Sequence, residues 1–445
     1  MIDRSSRTSH RDLYAAAAAV LLVTAAIVAG RHIQDAHRTL FVHWPPLFAD
    51  WDPHVGPGTP AALVLAAAGV AYGPALAGRL PWRALPWAAW AASAAWIVSL
   101  ALVDGWHDGI AVRLTTGNEY LQVIDRFHDI PAALRGFEDH IVDGVPGKWP
   151  AHIAGHPPAA TLTFVLLDRI GLGGGGWAGM WCVVLGGSAC AAVLVAVRAL
   201  ADERLARRAA PFLVLAPAAV WMGASADAYF AAVAAWALAC LALALTRRSL
   251  PWAGASGLLF GLTCYLSYGL ALVALIALAA LLLTRADLRA RPAMIPVFLA
   301  QLAVVPVVFA LLGFNWWTAY HLLVTRYYQG VGGTRPYGYW VWANLACTAV
   351  ITGTATAAAL PRTAGALTHR DDRAATRLAL VVCAALAALL IADLSGMSKA
   401  ETERIWLPFA VWLLPACAFL PRPRIWLAAQ AVLALLINHL LLTGW

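Results

Sequence analysis

Residues 104–176 open with DGWHDGIAVRLTTGNEYLQVIDRFHD and close with PAHIAGHPPAATLTFVLLDRIGLGGGG; they form the long polar stretch of an otherwise apolar chain. The stretch carries Asp104, Asp108, Glu119, Asp125, Asp129, Glu138, Asp139 and Asp143, with His107, His128, His140, His152 and His156. On either side lie apolar runs long enough to cross a bilayer. The fold turns on residues 157–171. They are apolar enough to suggest a span, but the run is short and carries Asp168 and Arg169 near its end. If it crossed, every later loop would change sides. A helix lying in the interface satisfies the same composition, with the glycines at 173–176 leading into the next span.

Working outward, the 445 residues are 62% hydrophobic and 12% charged, with a mean hydropathy of +0.71. A soluble chain of this length could not bury that much apolar surface, whereas a membrane chain has no need to. About thirteen spans are predicted, near 13–30, 61–78, 86–103, 177–198, 209–226, 228–246, 252–267, 268–284, 293–313, 340–360, 377–395, 405–421 and 425–443. The expected fold class is an all-α polytopic membrane bundle with a large outer loop containing interfacial helices.

The net charge of +8 does not imply a nucleic-acid partner, because the basic residues form short clusters between apolar runs. With the N-terminus inside, the inner segments hold Arg4, Arg7, Arg11, Arg79, Arg83, Arg198, Arg204, Arg207, Arg208, Arg247, Arg248, Arg285, Arg289, Arg291, Arg362, Arg370, Arg373, Arg377, Arg422 and Arg424, or 20 of the 31 basic residues. Short basic loops face the cytoplasm. This places residues 104–176 on the outer face of a plasma membrane. The seven cysteines all fall in apolar runs, so they are core residues and not a disulfide framework.

Three polar groups sit where a simple membrane scaffold does not need them. Glu119, before Tyr120, is either a favourable first-turn carboxylate or a general base for an attacking hydroxyl. Asp227, between two spans with almost no loop, is either a helix cap or an ionisable group with a function. Residues 398–404 carry Lys399, Glu403 and Arg404 directly before a span, and the two cations suit a lipid phosphate; Asp393 is a partner for one of them. Arg326 and Arg335 lie in an aromatic loop that fits either an interfacial belt or a sugar-phosphate surface. His156, before Pro157-Pro158, is a further phosphate contact. No metal site is assigned to the histidines.

In order, Glu119-Tyr120, His156-Pro157-Pro158, Asp227, Ser267-Tyr268-Gly269 and the Lys399/Arg404 segment resemble the GT-C superfamily of membrane glycosyltransferases, over roughly residues 86–420. Residues 395–407 also resemble an actinobacterial branch that includes a methylthioxylosyltransferase acting on lipoarabinomannan. Two spans precede the usual first one, and Asn118-Glu119 replaces the family's acidic pair, which leaves Asp104 and Asp108 as rival bases. The resemblance implies residues 1–85 as an added N-terminal pair of helices with an outer loop, 86–420 as the catalytic membrane domain and 421–445 as a last helix. It implies a polyprenyl-phosphate sugar as donor and a cell-envelope glycan or glycolipid as acceptor. Glu119 and Asp227 become the catalytic carboxylates. His156, Arg326, Arg335, Lys399, Glu403, Arg404, Tyr120 and Tyr268 become donor contacts. A divalent metal, Mg or Mn, is compatible with this scheme and not required by it. The alternative is a transporter or flippase of a lipid-linked sugar, which predicts charges deep in mid-span and two related halves.

Overall fold

The computed structural model describes residues 10–368 and 372–444. Arg4, Arg7 and Arg370 of the inner set therefore lie outside the described residues. Among those described, nine helices are long and apolar enough to cross a membrane: His10–His37, Thr59–Arg79, Leu85–Asp104, Gly175–Leu200, Ala226–Arg247, Met294–Leu311, Tyr337–Thr368, Arg373–Leu394 and Pro423–Leu440. The fold is all-α and polytopic. Its described β-structure is a short antiparallel ribbon joining Ala49–Trp51 to Leu441–Thr443.

The other four expected spans are helical but broken or short, and proline explains two of them. Residues 209–226 end a helix at Val214 and continue as the 3-10 turn Pro217–Trp221, with Pro211 inside the helix. Residues 405–421 divide at Pro408 and Pro415 into Leu407–Ala410 and the 3-10 turn Leu414–Phe419. Proline removes a donor and clashes with the preceding turn. Leu250–Leu266 is a 17-residue helix, and Tyr268–Val273 is a 3-10 turn before Ala274–Leu283. The run at 157–171 forms only the 11-residue helix Ala159–Arg169, about 16 Å at 1.5 Å per residue, which is too short to cross. Helix Tyr337–Thr368 kinks at Gly353, whose φ of 80° is one that side chains seldom adopt.

Helix Ala226–Arg247 is the central element, since 89% of its apolar window is buried inside the protein. Small residues on both sides let it pack closely. A Cβ on Gly186 would stand 2.8 Å from that of Ala228. Its two ends differ in chemistry. Beyond Arg247 lies an arginine-rich end. There Arg207 donates to the C-terminal carbonyls Ala77 O and Leu80 O at 2.7 and 2.8 Å, Arg208 to Leu420 O at 2.8 Å, and Arg377 to Leu200 O at 3.4 Å. Arg204 pairs with Asp372 and Arg362 with Asp12. Cations on helix C-terminal carbonyls satisfy orphan acceptors and offset the helix dipole. The opposite end of the central helix carries Asp227. At 1.5 Å per residue, its 22 residues separate the two ends by about 33 Å.

Candidate active site

Glu119 leaves Thr116-Gly117-Asn118 with extended backbone, before the 3-10 segment Tyr120–Phe127. Its side chain makes no cap contact, so it is not the first-turn carboxylate that spacing allowed. A second segment is fixed beside it. Trp149 is wedged between Phe127 and Phe137, with the Arg126 guanidinium 3.5 Å over its ring. That anchor starts the short helix Ala151–Gly155, where His152 N donates to Asn118 O at 3.1 Å. The His152 ring is thereby held against Glu119, with Nδ1 2.7 Å from Oε1.

The third segment arrives from 252 residues away. Ala400 and Glu401 both take positive φ, 72° and 60°, which costs roughly 1–2 kcal/mol per residue for L side chains. The tight turn aims Glu401 and Arg404 inward. Arg404 donates through Nη1 to Asp227 Oδ2 at 2.5 Å, and through Nη2 to Glu401 Oε2 at 2.9 Å; Nη2 also meets His152 Nε2 at 2.9 Å. Asp227 is the second residue of the central helix. Ser225, not Asp227, caps that helix by accepting from Asp227 N.

The result is a chain Glu119–His152–Arg404–Asp227 with Glu401 on its flank. The geometry fixes the imidazole tautomer. A carboxylate accepts from Nδ1, and a guanidinium donates to Nε2, so His152 is neutral with its proton on Nδ1. Burial by itself would lower Arg404, but Asp227, Glu401 and Glu119 outweigh it and hold the guanidinium charged. Burial likewise raises Glu401, and Arg404 and Arg335 bring it below its ordinary value. A narrow cavity of about 10 Å³, room for a single water molecule, opens on this chain, lined by Arg113, Glu119, Tyr120, His152, Asp227 and Arg404 together with residues 224–226. Glu119 is only 4% exposed, and its Oε2 has no hydrogen-bond partner. A buried carboxylate oxygen without a partner is costly unless something binds there.

The other expected site residues divide between the cavity and the scaffold. Tyr120 lines the cavity and packs on Phe164, His152 and His156. His156 lies beside it, but burial pulls its pKa down to about 4. Its Nδ1–H is spent on His152 O at 2.7 Å, so it offers a lone pair and not the positive charge expected of a phosphate contact. Lys399 Nζ donates to Gly332 O at 2.8 Å, and Lys399 N to the Tyr327 hydroxyl at 3.1 Å. Arg335 donates to Leu40 O and Lys399 O, at 3.0 and 2.7 Å. Both cations therefore pin the 399–401 turn and do not face the cavity. Glu403 Oε1 accepts from Phe48 N at 2.8 Å and ties the first outer loop down. Arg326 pairs with Asp143, and Tyr268 packs against Trp316 and Tyr320; neither joins the cluster. Asp393 accepts from Asn344 Nδ2 at 2.9 Å, and not from Lys399 or Arg404.

The rival bases are placed too. Asp104 spends both oxygens, on His54 Nε2 and Arg113 Nη2, each at 2.8 Å. Asp108 pairs with His107, and its side chain is 71% exposed. Three residues with a place in the site carry no expected role in the sequence: His152, Glu401 and Arg113. His152 and His156 stand four apart, a spacing that could have singled them out. It is not a metal pair here, because the rings lie 6.5 Å apart and nearly perpendicular. Among the described residues no group of three or more His, Cys, Asp or Glu is arranged to hold a metal ion.

The class these observations define is an all-α polytopic membrane protein with a buried carboxylate–imidazole–guanidinium chain at one end of its bundle. No protein-family model and no curated protein matches the chain. Solved structures that this chain is similar to include an oligosaccharyltransferase of Archaeoglobus fulgidus in complex with Zn and sulfate, at 17% identity and a TM-score of 0.42 over 60% of this chain and 40% of that one. ArnT from Cupriavidus metallidurans is similar in the apo state, at 18% identity and a TM-score of 0.46 over 72% and 58%. Bound to undecaprenyl phosphate, ArnT gives 18% and 0.43 over 72% and 59%. The chain thus spans 40% to 59% of the length of these structures. The likeness is partial and assigns no residue a role.

Proposed function

We propose that this chain is a membrane glycosyltransferase of the GT-C kind. It moves a sugar from a polyprenyl-phosphate donor to a hydroxyl of an envelope glycan or glycolipid, at the outer face of the plasma membrane. The single observation that carries the proposal is the unpartnered, buried Oε2 of Glu119 in a cavity that also presents Arg113 and Arg404. A carboxylate acceptor and cationic donors in one small space match a reaction that takes a proton from one group and stabilises an anion on another.

In the proposed step the acceptor O–H hydrogen-bonds to Glu119 Oε2. As its oxygen attacks the anomeric carbon, the proton passes to Glu119. The bond from that carbon to the donor phosphate breaks, and its electron pair leaves on the phosphate oxygen. A single displacement inverts the anomeric centre. His152 fixes the Glu119 oxygen that does not react. Asp227 and Glu401 fix Arg404. Arg113 is held by Asp104 and Thr443 O, and its Nε, buried and without a partner, is available to the leaving phosphate. Arg404 thus keeps the role expected of it, and Arg113 takes the one expected of Lys399. No step is routed through a metal.

The orientation rests on the short basic segments, which gather at the end of the bundle opposite Glu119. The transferred sugar in this reading is a pentose, such as arabinose or methylthioxylose, or mannose. The test is Glu119→Gln in membranes supplied with radiolabelled polyprenyl-phosphate arabinose or mannose. A loss of transfer of about 10²–10⁴-fold, the usual contribution of a general base, is expected. Undiminished transfer by a well-expressed variant removes Glu119 from the role.

A further inference from the structure

The arginine-rich end holds a second and larger cavity, of about 490 Å³, that the transfer reaction does not use. It lies between helices Thr59–Arg79, Glu203–Val214 and Pro423–Leu440 and the turn ending at Pro421. Its lining divides in two. One part is cationic: Arg207, Arg208 and Arg422. The other is apolar: Pro74, Gly78, Pro211, Cys417 and Leu420. Among the described residues no acidic side chain lines it.

The arginines are not equivalent. Arg207 is neutralised by Glu203, at 2.6 Å, and spends Nη1 on two carbonyls. Arg208 donates to Leu420 O, and neither it nor Arg422 pairs with a carboxylate among the described residues. Arg204 and Arg362 add their positive potential at Arg208. Arg422 is held between Pro421 and Pro423 at φ 51°, a conformation that an L side chain adopts only at a cost. Two uncompensated guanidinium groups at the mouth of a partly apolar cavity are complementary to an anion that carries a hydrocarbon chain. The walls continue to surfaces that need lipid: Leu76 and Ile425, on two of the helices, are 52% and 59% exposed.

We propose that this cavity binds the phosphodiester headgroup of an anionic glycerophospholipid, with Arg208 and Arg422 on the phosphate and the acyl chains along Pro74, Gly78 and Pro211. Basic pockets between membrane helices suit such headgroups, and guanidinium–phosphate pairs are strong and directional. The site shares no lining residue with the cavity at Glu119. Bound lipid would clamp three helices that otherwise meet around an electropositive void.

Native mass spectrometry of the full chain, with phosphatidylglycerol, phosphatidylcholine and inorganic phosphate as separate probes, tests this. Phosphatidylglycerol should bind at least tenfold more tightly than phosphatidylcholine, the equivalent of one charged hydrogen bond. The double variant Arg208→Gln/Arg422→Gln should lose that preference. Gly78→Phe should lose it as well by filling the cavity, because a Cβ at Gly78 meets no atom within 4 Å. Since Arg208 also holds Leu420 O, Arg422→Gln and Gly78→Phe carry the test if the double variant does not fold. Equal binding of the two lipids overturns the proposal, as does an unchanged preference in the variants. Inorganic phosphate competing as well as the lipid would reduce the site to an anion site and overturn the lipid assignment.

Discussion

Truncating His152 to alanine probes the site most directly, because the imidazole touches both ends of the chemistry. Its Nδ1–H donates to Glu119 Oε1 at 2.7 Å, and its Nε2 faces Arg404 at 2.9 Å. The backbone bond from His152 N to Asn118 O survives the substitution. What is lost is a hydrogen bond to an ionised group, about 1.5–3 kcal/mol. If it acts by aligning Oε2 on the acceptor hydroxyl, it counts in the transition state and not in donor binding. At about 1.4 kcal/mol per decade, turnover should then fall by roughly 10- to 150-fold. Asparagine offers an amide N–H near the position of Nδ1, so His152→Asn should restore about tenfold of that loss, though not the contact to Arg404. The assay is the initial rate of transfer from radiolabelled polyprenyl-phosphate sugar in membranes, over a range of donor concentrations. The expected split is a fall in kcat, with donor KM changed by less than about threefold. A raised KM with kcat intact would refute the reasoning, as would an asparagine variant no better than alanine at equal expression.

Two further predictions concern stability. Arg404→Ala leaves Asp227 and Glu401 without their buried counter-ion, a loss of about 3–5 kcal/mol, and should melt well below the parent protein in detergent. Adding Asp227→Leu to Arg404→Met should regain most of that stability and none of the transfer activity. Burial raises Glu403 to about 7 from its ordinary range. Its neutral form is therefore favoured in the folded state, and the fold loses stability as pH rises from about 4.5 to 7. Glu403→Gln keeps an acceptor for Phe48 N and should stabilise the protein by up to ~3 kcal/mol at pH 8, with the gain vanishing near pH 4.5 in thermal melts. A gain that does not vary with pH would mean that Glu403 is not protonated in the fold.

Much of the framework is a local property. An apolar run of about twenty residues forms a membrane helix whatever surrounds it, because every backbone polar group must be satisfied within the segment. The sequence therefore marks all nine continuous spans among its thirteen expected ones, the run at 157–171 that does not cross, and the polar loop. Proline shows where a run such as 405–421 cannot continue as one helix. Arginine clusters show which loops share an end, and the contacts of Arg207, Arg208 and Arg377 with helix C-termini agree. Asp227 and Arg404 are legible as ionisable groups at span boundaries, where each needs a partner, and Glu119 as a carboxylate of the polar loop.

Which partner it finds is not a local property. His152 meets Arg404 across 252 positions and Asp227 meets Arg404 across 177, so the packing of the central helix against the turn at 400–404 decides both contacts. The same packing sends Lys399 to Gly332 O and Arg335 to Leu40 O, although their charge and position resemble those of Arg404. It also recruits Arg113, Glu401 and His152, which in sequence look like any other polar loop residues. Composition sets the cost of burying a charge, and that cost is the same for each of these cations. Only the tertiary fold sets the distances at which carboxylates repay it, and that is why the scaffold could be read one residue at a time and the site could not.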